Sequence, residues 1–357
     1  MSRIVAAEAV SVTFRLVEGY RIAGRHFTSA DNVLLKLVAS DGRTGYGCGA
    51  PMEEVTGEHP RETLRALNEA LLPLAKEWDG KDTRDLVARA GAAAPRAPAA
   101  RAALDMALCD IDARRAGVPL ARFLGSDRTR IATSFTFGIE DDVASTVERA
   151  RRRVAEGFHV LKIKVGDDWK HDLELIRALR AALGPGVVLR ADGNEGFDEA
   201  SASAFLKGAA EAGLELLEQP VPKEDLGAMA RLATLTRVPI MADEAVQSDA
   251  DAARVIEARA ANLFNIKLMK SGGVLPGLAI ARRAAAAGIG VMVGCNDESR
   301  ISIAAGLHLA LAAAADARAD LDGHLDLQDD VATGGFRLRD GTLEITGEPG
   351  LGVEADF

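Results

Sequence analysis

Six residues in this chain have the types and the spacing to do chemistry together: Lys162 and Lys164 in HVLKIKVG, then Asp192, Glu218, Asp243 and Lys267. From Lys164 onward they are separated by 28, 26, 25 and 24 residues. Three carboxylates brought close together cannot all stay ionised without a cation. Three oxygen ligands, with water and substrate completing an octahedron, describe a Mg²⁺ site. The ion, the neighbouring amine and partial burial would lower the pKa of flanking lysines, which suits a general base. A lysine on either side of one α-carbon, with Mg²⁺ stabilising the enediolate, predicts 1,1-proton transfer with inversion, hence a racemase or epimerase. Taken singly, each carboxylate reads as a helix cap or a turn, and the two early lysines as a solvated edge strand. The regular spacing favours the joint reading.

That spacing is about the length of one strand, one helix and two loops, so the chain from residue 132 onward reads as a run of βα units. Such a run predicts a parallel sheet closing into a barrel, with chemistry at the C-terminal strand ends. The strands are expected at 132–139, in HVLKIKVG, in runs ending at Asp192, Glu218, Asp243 and Lys267, in GIGVMVG near Cys295, and in RADLDG at 318–323. Strand alternation then puts Lys162 and Lys164 on one face, and Lys164 and Lys267 on opposite sides of the barrel mouth. A helix is expected over 299–315. Upstream, strands are expected at 3–16 and 32–39 and after the turn at 42–49, with a loop or lid over Val17–Asp31. Helices should cover about 60–76 and 98–115, the latter capped by Gly117. Asp340-Gly341 predicts a late hairpin. The division expected is an α+β domain over 1–125, a barrel over 126–325, and a segment 326–357 packed back on the first domain.

At 357 residues the chain accommodates a barrel and a smaller domain. A net charge of −10 argues against nucleic acid and anionic membranes as partners. Three scattered cysteines fit a reducing compartment better than a disulfide framework or a zinc site. No apolar run approaches the roughly 20 residues of a membrane helix, and the N-terminus lacks a signal-peptide core. A soluble cytoplasmic protein is expected.

KIK at 162–164, DGN at 192–194, EQP at 218–220, DE at 243–244 and NIKLMKSGG at 265–273 resemble the muconate-lactonizing subgroup of the enolase superfamily. GCNDESRISIAAGLHLA at 294–310 and DLD at 320–322 are similar to the dipeptide epimerases, which include L-Ala-D/L-Glu epimerase. The resemblance implies an α+β capping domain on a modified TIM barrel, (β/α)₇β. It implies Mg²⁺ ligands at Asp192, Glu218 and Asp243 and acid/base lysines at Lys164 and Lys267. The reaction implied is epimerisation at the α-carbon of the C-terminal residue of a dipeptide, in an enzyme expected to be a homo-oligomer. Lys162 and Thr136 are further expected substrate contacts, with Asn194 and Glu244 supporting the ligands. Asn296, Ala245 and Glu195 depart from commoner forms without removing a ligand or a base.

Asp320 and Asp322 alternate onto one face of a strand end and suit a free α-ammonium group, which a dipeptide has and an N-acyl amino acid lacks. Asp297, with Glu53 and Glu54 from the cap, would make an acidic rim favouring a Lys- or Arg-containing dipeptide. Arg25 and His26 argue the other way, toward an L-Ala-D/L-Glu-like substrate. His308 and His324 read as structural. The alternatives on the same scaffold are an N-acylamino-acid racemase, an o-succinylbenzoate synthase and a cycloisomerase; a binding protein without turnover is the reading from another class.

Overall fold

The computed structural model describes residues 3–22, 25–140 and 142–357, without the side chains of Ile22, Arg25 and Glu54. The chain opens with an antiparallel sheet of β1 (Ile4–Ile22), β2 (Arg25–Ala39) and β3 (Thr44–Gly49). The described residues of Val17–Asp31, expected as a loop, instead continue β1 and β2 as paired strands. The register shift between Arg15 and Tyr20 breaks the alternation that would have revealed it. β3 pairs with β2 only over Val33–Val38, so the outer hairpin runs on as a two-stranded ribbon that keeps its polar residues in solvent.

Helix 98–116 lies directly on β3, and the sequence explains how. Gly45, Gly47 and Gly49 recur at the strand period and meet Ala107, Ala103 and Ala99, which recur at the helix period. A Cβ on Gly47 would come within 1.9 Å of the Ala103 carbonyl oxygen, and one on Gly45 within 2.1 Å of that of Ala107. Gly117 ends this helix in the left-handed region, at φ 70°. The stretch expected as one helix at 60–76 runs Pro60–Ala75 with a π turn at Leu67–Leu71.

β4 (Arg130–Ala132) precedes an eight-stranded parallel barrel: β5 (Phe135–Phe137), β6 (Val160–Lys164), β7 (Val188–Asp192), β8 (Leu216–Glu218), β9 (Ile240–Ala242), β10 (Leu263–Lys267), β11 (Gly290–Gly294) and β12 (Arg318–Asp320). A bridge between Thr133 and Ala319 joins its two ends. Seven helical connections and no eighth give the expected (β/α)₇β order. The first barrel strand is shorter than the expected 132–139, because Arg130–Ala132 leaves to pair with Thr342–Glu344 near the C-terminus. After β12 a short 3₁₀ turn at Gly323–Leu325 stands where an eighth helix would begin.

The C-terminal segment holds β13 (Ala332–Gly334), β14 (Phe336–Arg339), β15 (Thr342–Ile345) and β16 (Val353–Ala355). β14 and β15 form the expected hairpin, turning at Asp340-Gly341. The segment touches both regions. Leu327 bridges Leu16 of the hairpin and Arg114 pairs with Glu354, while β15 pairs with β4 beside the barrel. Asp105 of helix 98–116 accepts hydrogen bonds from the backbone N–H groups of Val274 and Leu275, capping barrel helix 274–286 from the first region.

Candidate active site

The barrel register sets the chemical groups side by side. Lys164 pairs with Asp192 across β6–β7, and Asp192 with Glu218 across β7–β8. Asp243 follows β9 and Lys267 ends β10. β6 and β10 are four strands apart, half the circumference of an eight-stranded barrel, so Lys164 and Lys267 stand on opposite sides of the three acids. One carboxylate oxygen from each of Asp192, Glu218 and Asp243 lies within 4.8 Å of the others, and all three residues are fully buried. Beneath them Leu216, Met241, Leu263 and Met292 pack a dry floor.

The donor set fits a hard divalent cation. It is all oxygen, and Glu218 Oε2 and Asp243 Oδ2 have no hydrogen-bond partner among the described residues. An ammonium comes within 3.1 Å and 3.0 Å of them without hydrogen-bond geometry. Buried acceptors left this way are costly unless a cation completes them. The acids answer to different neighbours. Burial and the Asp192 charge push Glu218 up to about 8. For Asp192, burial works upward but the ammonium groups of Lys162 and Lys164 outweigh it and hold the carboxyl low. Asp243 is held far below the usual range, burial being overcome by Lys267 and Lys270.

Two of the lysines are held charged by the acids. Among these residues alone, burial lowers the Lys267 ammonium but Asp243 raises it more, so it sits above its ordinary value. Lys162 behaves likewise, through Asp192 and Asp320. A lowered ammonium pKa needs the carboxylate charge to be spent on a cation first.

Lys164 donates to Asp192 Oδ2 and Asn194 Oδ1, each at 2.7 Å. Asn194 in turn donates to Glu244 Oε1 at 3.1 Å. Asn194 (φ 40°) and Glu195 (φ 67°) turn the chain back at once after β7, which asparagine tolerates better than most residues. Three more residues brace the acids. Lys270 donates to Asp243 Oδ1, Asn265 Nδ2 to Glu218 Oε1 at 2.6 Å, and Gln219 Oε1 accepts from the Asp243 N–H at 3.0 Å. The signal for them was present: Asn265 shares the Lys267 face of β10, Lys270 is one helical turn on, and Gln219 sits in EQP.

Asp320 and Asp322 reach the site differently from the strand alternation expected. Asp322 lies past β12 with helical backbone (φ −99°, ψ −7°), and a turn brings it in. Asp320 is occupied by Lys162 Nζ at 2.6 Å, the Ser134 hydroxyl and Thr136 Oγ1. Asp322 accepts the Thr136 N–H, at 2.6 Å, and burial with the Asp320 charge pushes it up to about 7.

A cavity of about 760 Å³ joins these groups. Lys162, Lys164, Lys267, Thr136, Asp320 and Asp322 all line it. So do Asp297 and two residues the sequence did not single out, Tyr20 and Asp326. Asp326 comes from the stretch that replaces the missing eighth helix, and a patternless turn carries no signal for it. Of the cap residues expected at the rim, Glu53 is exposed, and its neighbours Met52 and Val55 line the wall instead. The side chains of Arg25 and Glu54 lie outside the described residues. His26 lines the cavity. His308 is buried and accepts the Ala121 N–H, and His324 packs edge-on against Phe336.

The cavity wall is unevenly charged. Arg149 pairs with Glu18 at 2.8 Å and with Glu140, and Arg153 with Glu156 at 2.8 Å. Asp297, Asp322 and Asp326 have no ion-pair partner among the described residues. Burial, then Asp322 and Asp297, push Asp326 up to about 8.

Two family models match the chain: "Mandelate racemase / muconate lactonizing enzyme, N-terminal domain" over residues 6–125 and "Enolase C-terminal domain-like" over 145–357. The L-Lys-D/L-Arg epimerase of Methylococcus capsulatus is 43% identical over 345 residues, covering 95% of this chain and 96% of that one. The L-Ala-D/L-Glu epimerase of Bacillus subtilis is 33% identical, covering 98% and 96%. The crystal structure of the Methylococcus capsulatus dipeptide epimerase with Mg and the dipeptide L-Arg-D-Lys superposes with a TM-score of 0.94 at 40% identity, covering 98% of this chain and 99% of that one.

Proposed function

The chain belongs to the mandelate racemase / muconate lactonizing enzyme family of the enolase superfamily, and from that premise we propose a Mg²⁺-dependent dipeptide epimerase selective for cationic dipeptides. The observation that carries the proposal is a cluster of three buried acids flanked by two lysines half a barrel apart, both lysines lining one cavity. Asp192, Glu218 and Asp243 would hold the ion. When bound, Mg²⁺ supplies positive charge opposite the substrate carboxylate and so acidifies the adjacent α-hydrogen.

The chain's own residues do the rest. Lys164 and Lys267 face the α-carbon of the C-terminal residue from opposite sides, one removing its proton and the other returning one to the far face. Asn194 holds Lys164 against Asp192, and Lys162 sits locked to Asp320 as fixed positive charge at the carboxylate end. Asp322 takes the α-ammonium group, which distinguishes a dipeptide from an N-acyl amino acid. Asp297 and Asp326, without an ion-pair partner among the described residues, turn carboxyl groups toward cationic side chains, which agrees with the L-Lys-D/L-Arg activity named for the Methylococcus capsulatus relative. Free cysteines at 48, 109 and 295 support a cytoplasmic location.

A dipeptide library with N-acyl lysine and arginine controls, incubated with enzyme and Mg²⁺ in D₂O and read by mass spectrometry, tests this. Single α-deuteration concentrated in Lys- and Arg-containing dipeptides is expected. Exchange confined to the N-acyl compounds, or no exchange at all, defeats the reading.

A further inference from the structure

The outer hairpin and the loop after β11 meet at one side-chain hydrogen bond: the Tyr20 hydroxyl donates to Asp297 Oδ2 at 2.6 Å. We infer that Tyr20 is a positioning residue for substrate selection, fixing the Asp297 carboxylate in the cavity wall so that its second oxygen is left for the side chain of a cationic dipeptide. The inference rests on the dipeptide reading above and adds the residue through which the hairpin acts on specificity.

Separate groups hold the backbone and the charge of Asp297. Its carbonyl accepts from Asn32 Nδ2 at 3.1 Å, and Asn32 Oδ1 accepts the Ser299 N–H at 2.9 Å, so β2 fixes the loop backbone. Among the described residues, Tyr20 is the one hydrogen-bond partner of the Asp297 carboxylate. Tyr20 itself is held without its hydroxyl. Its ring stacks on Phe27 at 5.4 Å between centroids, and Gly138 leaves just enough room, since a Cβ there would meet Tyr20 Cβ at 3.0 Å. The backbone on both sides is tied down as well. Val17 N–H donates to the Asp326 carbonyl at 2.7 Å, and Ile139 N–H donates to the Arg21 carbonyl at 2.9 Å. Removing the hydroxyl alone therefore frees the carboxylate while the hairpin keeps its place. Burial lifts Asp297 above the ordinary carboxylate range and the Tyr20 hydrogen bond works against that lift, so the same contact favours the ionised form that a cation needs.

The test compares wild type, Tyr20→Phe, Asp297→Asn and the double variant, each with Mg²⁺, on a Lys- or Arg-containing dipeptide and on a neutral one. In Tyr20→Phe, KM for the cationic dipeptide should rise roughly tenfold, with kcat and the neutral substrate's KM moving less than about threefold. Adding Tyr20→Phe to Asp297→Asn should change nothing further, because the hydroxyl acts through that carboxylate. Equal losses on both substrates, a change in kcat alone, or additive effects in the double variant would overturn the inference while leaving the dipeptide reading intact. A wild type that exchanges no dipeptide proton would overturn both. Should Tyr20→Phe fold poorly, Asp297→Asn with Tyr20 intact still decides: an unchanged preference for the cationic dipeptide sinks the inference.

Discussion

The two sides of the barrel mouth are built on opposite principles. From β6 to β10 the lysines are engaged by acids: Lys162 by Asp320, Lys164 by Asp192, Lys267 and Lys270 by Asp243. From the end of β11 round to the hairpin, Asp297, Asp322 and Asp326 line the cavity with no ion-pair partner within 4.0 Å among the described residues. The first arc is a closed network on rigid strand ends, where a displacement of an ångström would cost the reaction. The second arc is turn and ribbon, and its carboxyl groups, raised by burial and by one another, are left open to a cation that enters. Chemistry and selection are thus assigned to different halves of one ring.

If that division is right, damage to the first arc should be blind to the substrate's side chains, and damage to the second should not. The largest effect is expected from EDTA. Turnover of cationic and neutral dipeptides should vanish alike and return with added Mg²⁺, and thermal unfolding should shift upward on Mg²⁺ addition through binding to the folded state alone; activity that survives chelation breaks the scheme. Next, Lys164→Ala and Lys267→Ala should each lower epimerisation by roughly 10²–10⁴, equally for both dipeptide classes. Near-normal turnover in either variant removes the two-base assignment. Asp326→Asn belongs to the other arc and should cost about tenfold in kcat/KM for cationic dipeptides only; a uniform loss would return Asp326 to a structural role.

The smallest effect concerns pH. Asp326 titrates near 8 because of burial and the carboxylates of Asp322 and Asp297, so its charge is gained as pH rises through that value. Between pH 6.5 and 9, kcat/KM for a cationic dipeptide should climb a few-fold relative to a neutral one, and Asp326→Asn should flatten the ratio. Stability runs the other way. Its folded pKa lies above the unfolded 3.8, so its contribution is fully present below 3.8 and is lost as pH rises through about 8. Urea denaturation of wild type and Asp326→Asn at pH 6.5 and 9 checks the sign.

What could be read from the sequence follows the same line. The first arc was legible because regular strands space its residues: Asp192, Glu218, Asp243 and Lys267 fall at one period and must therefore share one end of the barrel. The second arc depends on contacts with no period. Tyr20 sits beyond a register shift that hid the strand around it, Asp326 follows a 3₁₀ turn in place of a helix, and Asp322 arrives by a turn where extended chain was expected. Lys162 illustrates the same limit from inside the regular part. Alternation located it, but that Asp320, 158 residues away, would hold it is a fact of barrel closure.

The glycine stripe of β3 has a consequence for how such an enzyme can be changed. With helix 98–116 seated on bare backbone at Gly45, Gly47 and Gly49, any side chain added there would push the helix off the sheet, so the base of the cap resists substitution. Changes of substrate preference are then better placed at cavity-lining hairpin residues such as Tyr20 and His26, which leaves the machinery of proton transfer alone.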